Sequence, residues 1–189
     1  MEITVNPTPL QGLVTIDTKF FRDDRGMFIE NWVKRTYAEH GIDADFVQDN
    51  HSRSGPKVLR GLHYQDMSAP MGKLVRCTIG SIYDVAVDLR TGSPTFGRWF
   101  GVELSADNMT QLWVPPGFAH GFLVLEAPAD VQYKCSGYYT PSAEGAIRWN
   151  DPDVGIEWPI PDPVLSEKDA RAPTLKEYLE QPAFSAVEA

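Results

Sequence analysis

The sequence predicts an all-β domain, a β-sandwich or jelly-roll barrel with short helices at its margins. Three observations carry this. From about residue 46 to 149 the chain reads as short apolar runs, broken at close spacing by turn segments such as SPTFG, VPPG and EAPAD. Tyr83, Val85, Val87 and Leu89 alternate with Asp84, Ala86 and Asp88, the period of two of a strand with one apolar face and one face carrying carboxylates. Fifteen glycines and fifteen prolines in 189 residues exceed average usage and favour turns over long helices.

Each element follows in chain order. Residues 31–41 (NWVKRTYAEHG) predict a short helix stopped by Gly41. KLVRCTIG-SIYDVAVDLR predicts a hairpin with Gly80-Ser81 as its two-residue turn. Further strands are expected near 98–104, 111–114, 121–125 and 131–138. Residues 173–181 (PTLKEYLEQ) predict a last helix with Pro173 in its first turn, and the last eight residues are expected to fray. No repeat or linker interrupts the chain. The expectation is one domain over 1–189, with a core at about 17–172 and a C-terminal helix and tail over 173–189.

Composition removes several classes of function. With 42% hydrophobic and 23% charged residues, the chain is globular and not disordered. No run approaches the length of a membrane span. The start MEITVNPTPL lacks the basic and apolar regions of a secretory leader. Cys77 and Cys135 read as reduced, buried, inert thiols of a cytoplasmic protein. A net charge of −9 argues against nucleic acid or an anionic membrane as partner. The charge is uneven. Residues 151–189 are acidic, whereas 53–76 carry Arg53, Lys57, Arg60, Lys73 and Arg76 against Asp66. That basic island suits an anionic ligand or a solvated strand face.

Four histidines are available for chemistry. His40 adjoins the helix stop and reads as a surface residue, and His51 is ambiguous. His63 in RGLHYQ and His120 in PPGFAHGF lie in apolar, strand-like surroundings, where a hydrogen-bonded core residue is the plainer reading of either one alone. PPGFAH matches the second half of the metal signature of cupin barrels. The first half needs a His-x-His pair and a carboxylate, and this chain has His63-Tyr64-Gln65, so a ligand is missing and the metal reading is disfavoured. With Lys73, Arg60, Tyr133, Tyr138 and Tyr139, the residues read as an acid–base pocket with cationic groups. Patterning goes no further.

The motifs FVQDNHSRS, VLRGLHYQ, GKLVRC, DVAVDLRTGSPTFG, QLWVPPGFAHGF, QYKCSGYYTPSAEG and IRWNDPDVGIEWP occur in the order seen in dTDP-4-dehydrorhamnose 3,5-epimerases. The resemblance spans roughly residues 17–172. It implies a cupin-like jelly roll, normally a homodimer, working without metal or cofactor on dTDP-4-dehydro-6-deoxy-D-glucose. Carbons 3 and 5 flank the C4 ketone, so loss of a proton from either gives an enolate. Inversion needs a base on one face, an acid on the other and a donor near O4.

By resemblance, His63 is the base, Asp169 its partner carboxylate, Tyr133 the acid and Lys73 the enolate stabiliser. The resemblance also implies substrate-binding roles for Arg25, Glu30, Gln48, Asp49, Asn50, Arg60, His120, Tyr139, Glu144 and Lys168. Arg25 and Glu30 are expected to reach the neighbouring subunit's nucleotide, Arg60 to meet the diphosphate, and Tyr139 to stack on thymine. Gln48, Asn50 and Glu144 could equally satisfy backbone groups at turns or strand ends. Four other readings stay open: a C3-only or C5-only epimerase, a ketone-moving isomerase, a non-catalytic nucleotide-sugar-binding cupin, and a metal-dependent cupin oxygenase.

Overall fold

The computed structural model describes residues 2–184. In chain order the strands are β1 (Ile3–Pro7), β2 (Val14–Thr18), β3 (Phe20–Asp23), β4 (Gly26–Ile29), β5 (Gln48–Ser54), β6 (Leu59–Gln65), β7 (Lys73–Asp88), β8 (Trp99–Ser105), β9 (Gln111–Val114), β10 (Phe118–Cys135) and β11 (Glu144–Ala146). Helix α1 (Lys34–Glu39) precedes β5, and α2 (Glu167–Ala170) and α3 (Leu175–Tyr178) close the chain.

Two long antiparallel strands, β7 and β10, organise the rest, pairing from Lys73↔Cys135 to Asp88↔Phe118. Their halves belong to two different layers. The first half of β7 pairs with β9, which leads through β2 to β1, and the second half of β10 pairs with β5. The second half of β7 pairs with β8, and the first half of β10 pairs with β6, which carries β11. The fold is an all-β, cupin-like jelly roll. Val75, Cys77, Ile82, Ala86, Phe118, Phe122 and Val131 share one interior cluster between the layers.

The expected Gly80-Ser81 hairpin is replaced by a bend within the continuous β7. Gly80 does take positive φ (71°), as a turn residue would. The bend is needed because β10 crosses there: a Cβ on Gly80 would lie 2.3 Å from the Glu126 carbonyl oxygen. Likewise EAPAD does not end a strand. It is the irregular stretch where the β10 register shifts between Val124 and Val131.

Both faces of the second half of β7 are largely buried, contrary to the expected apolar-versus-carboxylate division. Val85, Val87 and Leu89 pack outward under Ile147, Val154, Leu175, Tyr178 and Phe184. Asp84 and Asp88 are each fully buried, and Asp88 is satisfied by Arg90, Ser93 and Thr95. On the other layer, α1 covers the sheet through Tyr37, against Leu74 and Trp113. Gly41 ends that helix region at φ 84°, as expected. The last helix is shorter than expected. Thr174 is its N-cap in a capping box with Glu177, so Pro173 precedes the cap.

Packing extends past 17–172 at both ends, since Leu10, Leu13 and Phe184 are buried. Phe184, within the stretch expected to fray, is instead docked by bonds to Thr91 and to the Tyr178 hydroxyl. The rest of the segment expected to fray, 185–189, lies outside the described residues. Among the described residues no helix is long and apolar enough to cross a membrane.

Candidate active site

Strand alternation decides which residues meet. Tyr133 and Cys135 share the inward parity of Val131, Lys73 that of Val75, and Asp84 lies between inward Ile82 and Ala86. His120 lies between inward Phe118 and Phe122. One cavity of about 100 Å³ is lined by Asn50, His63, Tyr64, Gln65, Met71, Lys73, Tyr133, Tyr139 and Glu144. His63 comes from the β6 layer, and Asn50, Tyr133 and Lys73 from the opposite one. The cavity is thus bracketed by the two sheets.

His63 Nε2 lies 2.6 Å from Asp169 Oδ1. Asp169 is buried and is delivered by α2, whose N-cap Ser166 donates its hydroxyl to Asp169 Oδ2 at 2.8 Å. Burial raises the Asp169 pKa, but hydrogen bonds from His63 and Ser166 outweigh it and hold the carboxyl below its ordinary value. An ionised carboxylate at Nε2 keeps the proton there and leaves Nδ1 as the basic nitrogen.

Burial pushes the Tyr133 phenol above its ordinary pKa, with an opposing contribution from an Asn50 hydrogen bond, so it stays protonated near neutrality. Burial lowers the Lys73 ammonium, opposed by the fields of Cys135, Asp84 and Glu144. Burial raises both thiols, Cys77 to about 11, in keeping with inert cysteines.

At the rim, Glu144 accepts from the Tyr139 hydroxyl at 2.9 Å and from Lys168 Nζ at 2.6 Å. These bonds outweigh burial and hold Glu144 below the usual carboxylate range. Gln48 joins the rim to the floor: it donates to Asn50 Oδ1 at 2.9 Å and accepts from the Tyr139 amide at 3.0 Å. His120 is buried opposite His63, their Cα positions paired across β10 and β6. That approach requires two glycines. A Cβ on Gly61 would lie 2.6 Å from the Gly121 Cα, and one on Gly121 would lie 2.6 Å from the Arg60 carbonyl oxygen.

Other expected residues lie elsewhere. Asp49 has the opposite parity to Asn50 and pairs with Lys134 at 2.9 Å on the outer face. Arg60 is exposed, donates to Ser54 Oγ at 3.0 Å and acts on Tyr133 only through its field. Arg25 sits in the β3–β4 turn, paired with Asp23, and Glu30 follows that hairpin on the exposed side. Neither lines the cavity of its own chain. Asp84, outside the expected site, bonds His120, and its place on the carboxylate-bearing parity of β7 was the available signal. Among the described residues no three His, Cys, Asp or Glu side chains gather as a metal would need.

Comparison with known proteins decides the family. Residues 7–177 match the family model of dTDP-4-dehydrorhamnose 3,5-epimerase. The chain belongs to this family. It is 52% identical over 174 residues to the dTDP-4-dehydrorhamnose 3,5-epimerase of Salmonella typhimurium, covering 91% of this chain and 95% of that one. Its structure resembles the Legionella pneumophila dTDP-6-deoxy-D-glucose-3,5-epimerase, solved with dTDP-4-keto-L-rhamnose. The TM-score is 0.94 at 46% identity, covering 99% of this chain and 100% of that one. A 3'-monoepimerase from Streptomyces bikiniensis, solved with dTDP-quinovose, is also similar, with TM-score 0.90, 33% identity, and 96% and 92% coverage.

Proposed function

We propose that this epimerase-family protein inverts C3 and C5 of dTDP-4-dehydro-6-deoxy-D-glucose to give dTDP-4-dehydro-L-rhamnose. The observation that carries the reading is one cavity with an Asp169-held His63 on one sheet and Tyr133 and Lys73 on the facing sheet. His63 Nδ1 takes the proton from the carbon beside the ketone. The electron pair moves onto O4, and Asp169 stabilises the resulting imidazolium. Lys73 supplies the positive charge near O4, where a well-aimed donor contributes about 3–4 kcal/mol. Tyr133 returns a proton from the opposite sheet, and rotation or re-entry of the sugar presents the second carbon.

A cavity of this size takes the sugar and leaves the nucleotide to the rim of Tyr139, Glu144 and Lys168. The exposed β3–β4 hairpin, with Phe21 63% and Phe28 65% exposed beside Arg25, is available to a second subunit's rim. A homodimer is therefore part of the reading, and light scattering reports its mass.

The deciding experiment is incubation with the 4-keto nucleotide sugar in D₂O. Deuterium at C3 and C5 with L-rhamno product supports double inversion. Label at one carbon only supports the single-site reading, which the similarity to a 3'-monoepimerase keeps in view.

A further inference from the structure

A second histidine–carboxylate pair lies on the inner faces of β10 and β7, outside the residues that line the cavity. His120 Nε2 lies 2.6 Å from Asp84 Oδ1. Both residues are buried, at 7% and 0% exposure. Directly paired strand positions hold their side chains about 5 Å apart at Cβ, so the inward His120 ring stands beside His63. Stability gives this pair little reason to exist. Asp84 Oδ2 is buried with no hydrogen-bond partner among the described residues, and a buried charge pair is weak support for a fold that apolar residues could fill. The inner face of β7 is otherwise apolar from Val75 to Ala86, so the carboxylate interrupts a core it could have completed.

We propose that Asp84 is a positioning residue of the epimerisation site, fixing the ring and tautomer of His120 so that the imidazole beside the His63 base presents Nδ1 to the sugar. A carboxylate acceptor keeps the His120 proton on Nε2, as Asp169 does for His63. The site then carries two adjacent imidazoles oriented alike, His63 held by α2 and His120 by the neighbouring strand β7. The inference rests on the epimerase reading.

The test is a double-mutant cycle in the full-length protein with Asp84→Asn, His120→Asn and the pair together, read by kcat, KM, deuterium incorporation and Tm. Asp84→Asn should lower kcat by about 10–100-fold, the scale seen when a working histidine loses its orienting carboxylate, with KM within about threefold. In the His120→Asn background the same change should alter kcat by less than about twofold, because Asp84 acts through that ring. Losses that multiply in the double variant, or Asp84→Asn activity within about twofold of wild type, overturn the proposal. If Asp84→Asn is not recovered folded, Asp84→Ser is read by the same criteria. Wild-type protein that exchanges deuterium at neither carbon would sink the epimerase reading instead.

Discussion

The inner and outer faces of the β5–β10 pair use charge in opposite ways. On the outer face every charge is answered. Arg53 binds Asp130 through Nε at 2.6 Å and Nη2 at 2.7 Å, His51 lies 3.1 Å from the same carboxylate, and Lys134 pairs with Asp49. On the inner face Tyr133 and Asn50 border a cavity with Lys73, which among the described residues has no carboxylate within ion-pairing distance, and deeper in the interior Asp84 Oδ2 has no hydrogen-bond partner among them. Satisfied charges outside hold the sheet together. Unsatisfied ones inside cost stability and leave bonding capacity for a substrate.

That contrast can be broken by substitution. The largest expected effect is His63→Ala: deuterium exchange at both carbons should fall by at least about 10³-fold, and exchange surviving at either one would mean another base. Lys73→Met should lower kcat by about 10²–10³-fold while leaving Tm equal or higher, since a half-buried ammonium with no ion-pair partner among the described residues is removed. A lower Tm would show that the inner charge is structural after all. Tyr133→Phe should keep proton abstraction within about tenfold and impair correct reprotonation by about 10²-fold; full double inversion would remove Tyr133 from the acid role.

The smallest effect sharpens the other side. Asp130→Asn should lower Tm by a few degrees with kcat unchanged. Hydrogen bonding from Arg53, then from His51, outweighs burial and holds Asp130 at about 2, against an ordinary 3.8. Its folded pKa is depressed, so its contribution is full above about 3.8 and fades as the pH falls through about 2. Unfolding curves across that range should therefore converge for wild type and Asp130→Asn at the acid end. Curves that stay apart would place the stabilisation elsewhere.

Much of the site was legible because its residues sit in local motifs whose spacing is fixed along strands. RGLHYQ, GKLVR and QYK put His63, Lys73 and Tyr133 into the cavity, with Tyr64 and Gln65 lining it beside His63. Asp169 depended on resemblance, since nothing in SEKD says that a short helix will return to β6. Asp84 was visible as a carboxylate in an alternating strand, but its partner lies 36 residues away. Asp49 reads as part of QDN, yet a single step along a strand turns it to the outer face.

The sequence by itself determined the all-β class, the sites of most strands, the stop of α1 at Gly41 and the acid–base character of the interior, because period-two patterning and turn residues act locally. Only the tertiary structure decided that Gly80 bends one strand where a hairpin was expected, and which histidine meets which carboxylate. Those outcomes depend on how closely β10 approaches β7 and β6, a distance set by packing between segments far apart in the chain.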